Sequence, residues 1–306
     1  MSSVASDPAL IGIDWGTSSF RAFLIGTEGE VLDSLFAREG IMLVPEGDFN
    51  AAFERLLNAW AVSKKLPVIA SGMITSRNGW VETPYIQVPA GTQDLADALV
   101  PLQTESGRTL RFVTGMTTEH NGAPDVMRGE ETQIAGAIAA GAGDGVFMMP
   151  GTHSKSVTVC DGRIEDFATF MTGEVFGVLR SHTILGKLMA DGPFNEQGFR
   201  EGVAAGLKAG PNLLRTLFHV RTMPLFRKIT EDMIADYLSG MLIGAEIQAS
   251  NSSMSIGGPV TIVGRDDLAD RYEIALQILG LESRRAPDDV VARGHFAIAQ
   301  SAGLFS

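Results

Sequence analysis

Two stretches of the chain repeat one pattern of apolar strands and polar turns. In the first stretch, strands are predicted at residues 10–13, 20–25 and 31–37. In the second, strands are predicted at residues 145–149, 155–159 and 163–170. The pair Asp161-Gly162 is a strong hairpin signal before the last of these strands. Because the pattern recurs about half a chain apart, it predicts two duplicated domains, each led by a three-stranded antiparallel meander.

Helix patterns alternate with these strands. Residues 129–138 are acidic at the start and alanine-rich afterwards, as the first turn of a helix favours. A strand at 259–264 ends in glycine and is followed by a helical stretch at 266–279. The alternation predicts an α/β protein with domains at residues 1–143 and 144–306. The Gly/Ala stretch 139–143 between them is either a hinge or a helix C-cap.

Each predicted meander contains a turn rich in glycine and hydroxyl residues. The turns are Gly16-Thr17-Ser18-Ser19 and Gly151-Thr152-His153-Ser154. Such turns direct backbone N–H groups and hydroxyls towards one point, which suits a phosphate. One turn alone is weak evidence, but a pair leading two domains predicts a nucleotide held from both sides of a cleft.

Two further positions are candidates for the same nucleotide site. Asp14 lies at the end of the first strand, where its carboxylate is placed to hold Mg²⁺ through water. The alternative is that Asp14 only initiates the turn. Gly264 ends a buried-type strand before a helix, a junction that brings backbone close to a ligand or simply turns the chain.

Composition and charge narrow the class of protein. The chain is 45% hydrophobic and 20% charged, as in ordinary globular proteins. Its net charge of -12 repels nucleic acid and anionic lipid. No uncharged stretch reaches the roughly 18 residues of a membrane-spanning helix, and residues 1–14 lack a secretory pattern. A cytoplasmic protein is therefore expected. The single cysteine, Cys160, excludes an intrachain disulfide, and no two histidines have metal-ligand spacing.

Five ordered segments resemble the 2-dehydro-3-deoxygalactonokinases, a family within the superfamily of actin, hexokinase and the Hsp70 ATPase domain. The segments are residues 13–21, 71–85, 125–133, 150–155 and 170–174. The resemblance implies two ribonuclease H-like, actin-like ATPase domains with mixed sheets flanking a nucleotide cleft. It also implies ATP and Mg²⁺, with transfer of the γ-phosphate to the terminal (C6) hydroxyl of the sugar acid 2-dehydro-3-deoxy-D-galactonate.

The resemblance assigns roles to the turns. The turn at Gly16 is similar to the first phosphate loop of the superfamily and the turn at Gly151 to the second. Pro150 stands where the second loop usually has an acidic residue. The strand ending at Gly264 resembles the adenosine motif, with Arg265 in place of a second glycine. Arg265 is then a candidate to stack on adenine.

Phosphoryl transfer to a hydroxyl calls for a carboxylate within reach of the attacking O–H. The start of the helix after Gly129 is similar to the position of the acidic base in related kinases, so Glu130 and Glu131 are candidates. Glu131 is preferred because it lies nearer the helix body, and Asp125 is a further candidate. Alternatively, the two glutamates only stabilise the start of the helix.

The loop at residues 77–85 mixes a cation, an amide and two aromatic rings, as an anionic sugar would require. Arg77 is predicted to bind the substrate carboxylate bidentately, with Asn78, Trp80 and Tyr85 also in contact. Glu174 is a candidate to accept hydrogen bonds from sugar hydroxyls. The alternatives are a surface loop packed over its aromatics, and an ordinary helix N-terminal acid at Glu174.

Two other functions compete with a sugar-acid kinase. One is a phosphatase or polyphosphate-processing enzyme of the same fold, and the other is a nucleotide-binding switch without catalysis. The aromatic residues Trp80 and Tyr85 favour a sugar, and neither terminus has the basic helix-turn-helix of a repressor. The sequence leaves the oligomeric state open, including a homo-oligomer.

Overall fold

The computed structural model describes residues 7–60 and 65–305. Residues 1–6, part of the segment considered for a secretory signal, lie outside the described residues. The strands are β1 (Pro8–Trp15), β2 (Phe20–Gly26), β3 (Val31–Ala37), β4 (Val68–Ser71), β5 (Tyr85–Gln87), β6 (Ala90–Gly91), β7 (Val100–Gln103), β8 (Thr109–Phe112), β9 (Gly115–His120), β10 (Ala123–Met127), β11 (Gly145–Met149), β12 (Ser154–Cys160), β13 (Arg163–Phe170), β14 (Val260–Ile262) and β15 (Ser283–Arg285). The α-helices are α1 (Phe49–Leu57), α2 (Thr92–Asp97), α3 (Glu130–Ala139), α4 (Thr172–His182), α5 (Glu196–Ala209), α6 (Leu213–Leu217), α7 (His219–Leu225), α8 (Ile234–Met254), α9 (Asp266–Ile278) and α10 (Val290–Ser301). Among the described helices, none is both long enough and apolar enough to cross a bilayer.

The chain forms two compact units. The first runs to Gly143 and also contains residues 160–166 and those from Ala286 onward. The second contains residues 144–159 and 167–285. The sequence division kept residues 144–306 together, whereas α10 packs on α3 and β1 of the first unit. Nothing along the chain marks that packing, because it depends on helices more than 150 residues apart.

The main sheet of the first unit has the strand order β3-β2-β1-β4-β8-β7. Strands β1, β2 and β3 form the predicted antiparallel meander. Strands β4 and β8 then continue the sheet parallel to β1, and β7 closes it antiparallel to β8. A smaller sheet of order β10-β9-β5 carries the residues around Tyr85. The first predicted meander is therefore confirmed.

The second unit repeats the topology. Its strands are ordered β13-β12-β11-β14-β15, with β14 parallel to β11 and β15 parallel to β14. The turn between β12 and β13 has left-handed backbone at Asp161 (φ 50°) and Gly162 (φ 69°), as its hairpin signal requires. Both units therefore share one five-strand arrangement of antiparallel meander plus two parallel strands, and the predicted α/β fold with mixed sheets is confirmed.

Glycines allow the helices to cross at very short distances. A β-carbon at Gly136 in α3 would lie 1.7 Å from the Val290 carbonyl oxygen in α10. In the second unit, a β-carbon at Gly206 in α5 would lie 2.1 Å from the Met241 carbonyl oxygen in α8. Side chains cannot fit at such distances, so these glycines fix how closely α3 approaches α10 and α5 approaches α8.

Candidate functional site

In the first unit, three backbone segments converge near Asp14. Strands β1 and β4 are parallel, and Asp14 is the register partner of Ser71. A β-carbon at the next residue, Gly72, would lie 3.0 Å from Asp14 Oδ1. A β-carbon at Gly129, just before α3, would lie 3.2 Å from the Gly72 Cα. The ends of two strands and the acidic start of α3 therefore meet at one edge of the sheet.

Asp14 is the carboxylate at this edge. Its side chain is 14% exposed and forms an ion pair with Arg21 at 2.9 Å. Burial raises the pKa of Asp14 above its usual range, although the Arg21 charge acts in the opposite direction. A partly exposed carboxylate of this kind offers an oxygen ligand to a hard cation.

The first predicted phosphate turn, at residues 16–19, comes directly after β1 and Asp14. The Gly16 N–H donates to the Ser19 carbonyl at 2.9 Å. Thr17 and Ser18 are exposed at the tip of the turn. A β-carbon at Gly40 would lie 2.2 Å from the Thr17 carbonyl oxygen, so residue 40 must be glycine for the chain to pass behind the turn.

The two glutamates at the start of α3 differ in burial. Glu131 is 1% exposed, and its carboxylate accepts the Gly129 N–H at 2.7 Å and the Thr132 hydroxyl at 3.0 Å. Burial, assisted by the neighbouring charge of Glu130, raises the pKa of Glu131 to about 7. Glu130 is half-buried and accepts the Arg128 N–H at 2.9 Å. The Glu131 carboxylate thus binds the start of its own helix.

Arg128 organises the predicted substrate loop. Its Nη1 donates to the hydroxyls of Thr75 at 2.7 Å and Thr83 at 2.6 Å. Its guanidinium also lies over the Tyr85 ring, 4.3 Å from the centroid. Sequence reasoning missed this role because Thr75 and Thr83 are 53 and 45 residues away. Only the position of Arg128 inside a family-like segment could have drawn attention to it.

The residues predicted to touch the substrate occupy different environments. Arg77 and Asn78 are exposed at the tip of a tight turn, in which the Gly79 N–H donates to the Ser76 carbonyl at 2.8 Å. Tyr85 is 42% exposed.

Trp80 instead packs beneath this turn. Its ring lies 6.3 Å from that of Phe49 and 6.0 Å from that of Phe112, centroid to centroid, against the apolar core of the first unit. These contacts account for the aromatic residue at position 80 without a ligand. Arg77, Asn78 and Tyr85 are the members of the predicted set that face solvent.

In the second unit, the turn at Gly151 is braced by the start of α4. The Glu174 N–H donates to the Thr152 carbonyl at 3.0 Å, and a β-carbon at Gly173 would lie 2.4 Å from the Gly151 carbonyl oxygen. His153 Nε2 is hydrogen-bonded to the Glu174 carboxylate. The structure therefore brings together His153 and Glu174, for which the sequence analysis predicts separate roles.

The predicted adenosine junction lies beside this turn. A β-carbon at Gly264 would lie 3.3 Å from Pro150 Cδ, so the ends of β14 and β11 are adjacent. Arg265 is 77% exposed and donates to the Asp267 carboxylate at 3.1 and 3.0 Å. In this arrangement the Arg265 guanidinium is already engaged by its own helix.

A cavity of about 280 Å³ opens next to the second turn. Gly151 and Gly173 form part of its wall, and Phe194, Asp236 and Arg271 form another part. Arg271 Nη1 donates to Asp236 at 2.7 Å, and its guanidinium lies 4.4 Å from the Phe194 ring centroid. This volume is just below the roughly 300–1,000 Å³ that is typical of small-molecule sites. No local sequence signal marks these last three residues, which come from separate segments.

Comparison with known proteins identifies the family. The family model of 2-keto-3-deoxy-galactonokinase matches residues 14–298. A protein of Rhizobium meliloti (strain 1021), named as a probable 2-dehydro-3-deoxygalactonokinase, is 36% identical over 294 residues, which cover 95% of this chain and 96% of that protein. The chain belongs to the 2-keto-3-deoxy-galactonokinase family.

Further relatives agree over nearly the full length. The 2-dehydro-3-deoxygalactonokinase of Escherichia coli (strain K12) is 32% identical over 272 residues, covering 89% of this chain and 90% of that one. A crystal structure from Sinorhizobium meliloti, named as a 2-dehydro-3-deoxygalactonokinase protein, has a TM-score of 0.89 at 35% identity, covering 97% of this chain and 100% of that chain. The resemblance, the actin-like fold class and the class of ATP-dependent carbohydrate kinase are confirmed.

The burial of Glu131 generates a prediction about stability. The pKa of Glu131 is raised from 4.5 to about 7, so the folded protein keeps a proton that the unfolded chain releases. The stability that the folded protein gains from the raised pKa of Glu131 is fully present below pH 4.5 and is lost as the pH rises through about 7. Relative to Glu131→Gln, which cannot titrate, the wild type should lose stability over this window by up to about 1.4 kcal/mol per pH unit.

Urea unfolding at several pH values measures the difference. Glu119→Gln, which alters an exposed carboxylate of the same unit, is the matched control and should follow the wild type. Parallel stability curves for the wild type and Glu131→Gln between pH 5 and pH 8 would contradict the assigned burial effect.

Proposed function

We propose that the protein transfers the γ-phosphoryl group of ATP to the terminal (C6) hydroxyl of 2-dehydro-3-deoxy-D-galactonate, in the breakdown of galactonate or galactose. The observation that carries this proposal is similarity at 36% identity over 95% of the chain to a relative bearing that kinase name. The duplicated topology, with a Gly-Thr turn at the same place in each unit, supports a nucleotide as the second substrate.

For ATP, we assign the phosphates to the turns at residues 16–18 and 151–154. Exposed hydroxyls at Thr17 and Ser18 and the close packing at Gly151 support this assignment. The nucleoside is assigned to the cavity walled by Gly151 and Arg271, beside the Gly264 junction. That both turns bind the same nucleotide stays a prediction.

The residues around Asp14 fit a magnesium ion. Mg²⁺ is usually held by one or two carboxylates together with substrate phosphates and several waters. Asp14 supplies one carboxylate, partly exposed, next to the first turn. Bound there, the ion would neutralise charge on the transferring phosphate. The Arg21 guanidinium holds the Asp14 carboxylate in place at 2.9 Å.

For the sugar acid, we assign the carboxylate to Arg77 and sugar hydroxyls to Asn78 and Tyr85. These three side chains are exposed on a loop that Arg128 fixes from below. A guanidinium can bind a carboxylate through two parallel hydrogen bonds, which sets the orientation of the substrate. Trp80 is assigned to the support of this loop, because its ring packs on the core.

The two glutamates that are candidates for the catalytic base, Glu130 and Glu131, differ in how deeply they are buried. A base must come within hydrogen-bond reach of the hydroxyl that it deprotonates. Glu131 is 1% exposed and its carboxylate is engaged by the start of α3. Glu130 is half-buried. The sequence analysis prefers Glu131, whereas the lower burial of Glu130 supports Glu130 as the residue that meets the substrate.

Other expectations stay predictions. They are a contact between Glu174 and a sugar hydroxyl, a contact of His153 with phosphate, a cytoplasmic location, and the absence of nucleic-acid and membrane partners. A homo-oligomer is likewise a prediction.

The first test is a substrate panel. ADP formation from ATP and Mg²⁺ should require a sugar acid and should be fastest with 2-dehydro-3-deoxygalactonate, compared directly with 2-dehydro-3-deoxygluconate. Phosphorus NMR of the product should place the phosphate on C6. Phosphate release without any sugar acid would favour a phosphatase, and nucleotide binding without turnover would favour a switch.

The second test concerns Asp14. Asp14→Asn should reduce kcat by on the order of 10²-fold, because the carboxylate acts on charge that develops at the phosphates. The melting temperature of Asp14→Asn should stay close to that of the wild type. Arg21→Gln keeps the carboxylate but removes the ion pair that holds it, so it should weaken the Mg²⁺ dependence of the rate less than Asp14→Asn does. Equal turnover by Asp14→Asn and the wild type would remove Asp14 from the metal site.

The third test separates the carboxylates. Glu130→Gln should reduce kcat by roughly 10²–10⁴-fold with little change in the KM for the sugar acid. Glu131→Gln and Asp125→Asn should lose less. If Glu131→Gln is instead the crippled variant, the base is the buried residue and α3 must open for catalysis. If all three variants are active, no base from this segment is needed.

A further inference from the structure

Glu246 is a buried carboxylate that no motif of the sequence marks. It lies in α8, is 3% exposed, and receives three hydroxyl groups on a single oxygen. Ser154 donates to Oε2 at 2.7 Å and Tyr272 at 2.8 Å, and Thr172 donates to the same atom. Three donors on one acceptor place Glu246 at the centre of a local network.

The three donors come from three different elements. Ser154 ends the second Gly-Thr turn and begins β12, Thr172 is the first residue of α4, and Tyr272 lies in α9. Thr172 and Tyr272 also line the cavity of about 280 Å³, together with Gly151 of the turn. One carboxylate oxygen therefore connects the turn, the start of α4 and one wall of the cavity.

The two residues that follow Thr172 pack directly against the turn at residues 151–154. The residue after it, Gly173, approaches so closely that a β-carbon there would lie 2.8 Å from the Thr152 Cα. The next residue, Glu174, donates its N–H to the Thr152 carbonyl at 3.0 Å. The turn is thus held on one side through Ser154 and on the other through Thr172, and both hydroxyls bind Glu246.

The network carries an energetic cost. Within the described residues, the other carboxylate oxygen of Glu246, Oε1, is buried without a hydrogen-bond partner. Burial raises the pKa of Glu246 above its usual range, and burial together with the Glu246 charge raises that of Tyr272, which keeps its phenol as a donor. An unpartnered buried carboxylate oxygen costs free energy, so packing alone does not account for a glutamate here.

Strand β12 and helix α8, which carry Ser154 and Glu246, also contain a contact between two neutral polar side chains that serves as a comparison. Ser156 on β12 and Ser250 on α8 are hydrogen-bonded at 2.8 Å between their hydroxyls, and both are fully buried. They lie two residues along the strand and one turn along the helix from Ser154 and Glu246. This pair joins β12 to α8 without contacting the turn or the cavity.

We infer that Glu246 is a positioning residue for nucleotide binding, which holds the turn at residues 151–154 and the start of α4 in the geometry that receives the nucleotide phosphates. The inference rests on the proposed function, since it takes the turn at Gly151 as a phosphate site. Glu246 acts through the hydroxyls of Ser154 and Thr172 and through the wall residue Tyr272.

The test compares Glu246→Ala, Glu246→Gln and Ser250→Ala in the full-length protein. Each variant is measured for its KM values, its equilibrium affinity for a nonhydrolysable ATP analogue, and its melting temperature. Glu246→Ala should weaken nucleotide affinity and raise the KM for ATP by about 10- to 100-fold, because displaced binding groups are costly. Its KM for the sugar acid should stay unchanged. Ser250→Ala should lower the melting temperature and leave nucleotide affinity unchanged.

Glu246→Gln keeps an acceptor for the hydroxyls and should restore much of the affinity that Glu246→Ala loses. If Glu246→Ala does not fold, Tyr272→Phe removes one of the three hydrogen bonds and should weaken nucleotide affinity in the same direction. Nucleotide affinity no weaker in these variants than in Ser250→Ala would overturn the inference. A wild-type protein that binds the ATP analogue but phosphorylates no sugar acid would instead count against the proposed function alone.

Discussion

The close approach of backbone at Gly72 is the constraint on which the arrangement of the first unit depends. A β-carbon at this residue would lie 3.0 Å from both the Asp14 carboxylate and the Trp15 carbonyl oxygen. A β-carbon at Gly129 would lie 3.2 Å from the Gly72 Cα, and Gly72 and Gly129 have positive φ, at 91° and 103°. Two strand ends and the start of α3 can therefore meet only because neither residue carries a side chain. This meeting point brings Asp14 and the acidic start of α3 to one edge of the sheet.

Buried carboxylates play comparable parts in the two units. Glu131 accepts the Gly129 N–H at the start of α3, and Glu246 accepts the hydroxyl of Thr172 at the start of α4. Each is desolvated, and burial raises the pKa of each. In a low-dielectric interior such hydrogen bonds are strengthened, while any unmade bond becomes expensive. Both glutamates consequently fix the position of helix starts that lie beside the proposed phosphate and substrate groups.

Family membership and local geometry answer different questions about the site. Similarity over nearly the whole chain assigns the class of reaction. The side-chain contacts then show which residues support the loop at residues 77–85 and which are exposed on it. Trp80 packs on the core, Arg77 faces solvent, and Arg128 ties the loop through Thr75 and Thr83. The residues that hold the loop in place are therefore defined by the structure as clearly as the side chains that the loop exposes to solvent.

The sequence by itself determined the two meanders, the Asp161-Gly162 hairpin and the family. The meanders and the hairpin depend on residues close together in the chain, whose alternation and turn chemistry fix local structure. The family follows from five ordered segments of the sequence. Only the tertiary structure decided that α10 belongs with α3, that Arg128 braces the proposed substrate loop, and that Glu246 joins three elements. These contacts join residues 26 to more than 150 positions apart. Their partners are selected by close packing and by the cost of leaving buried polar groups unpaired, and neither leaves a periodic trace in the sequence.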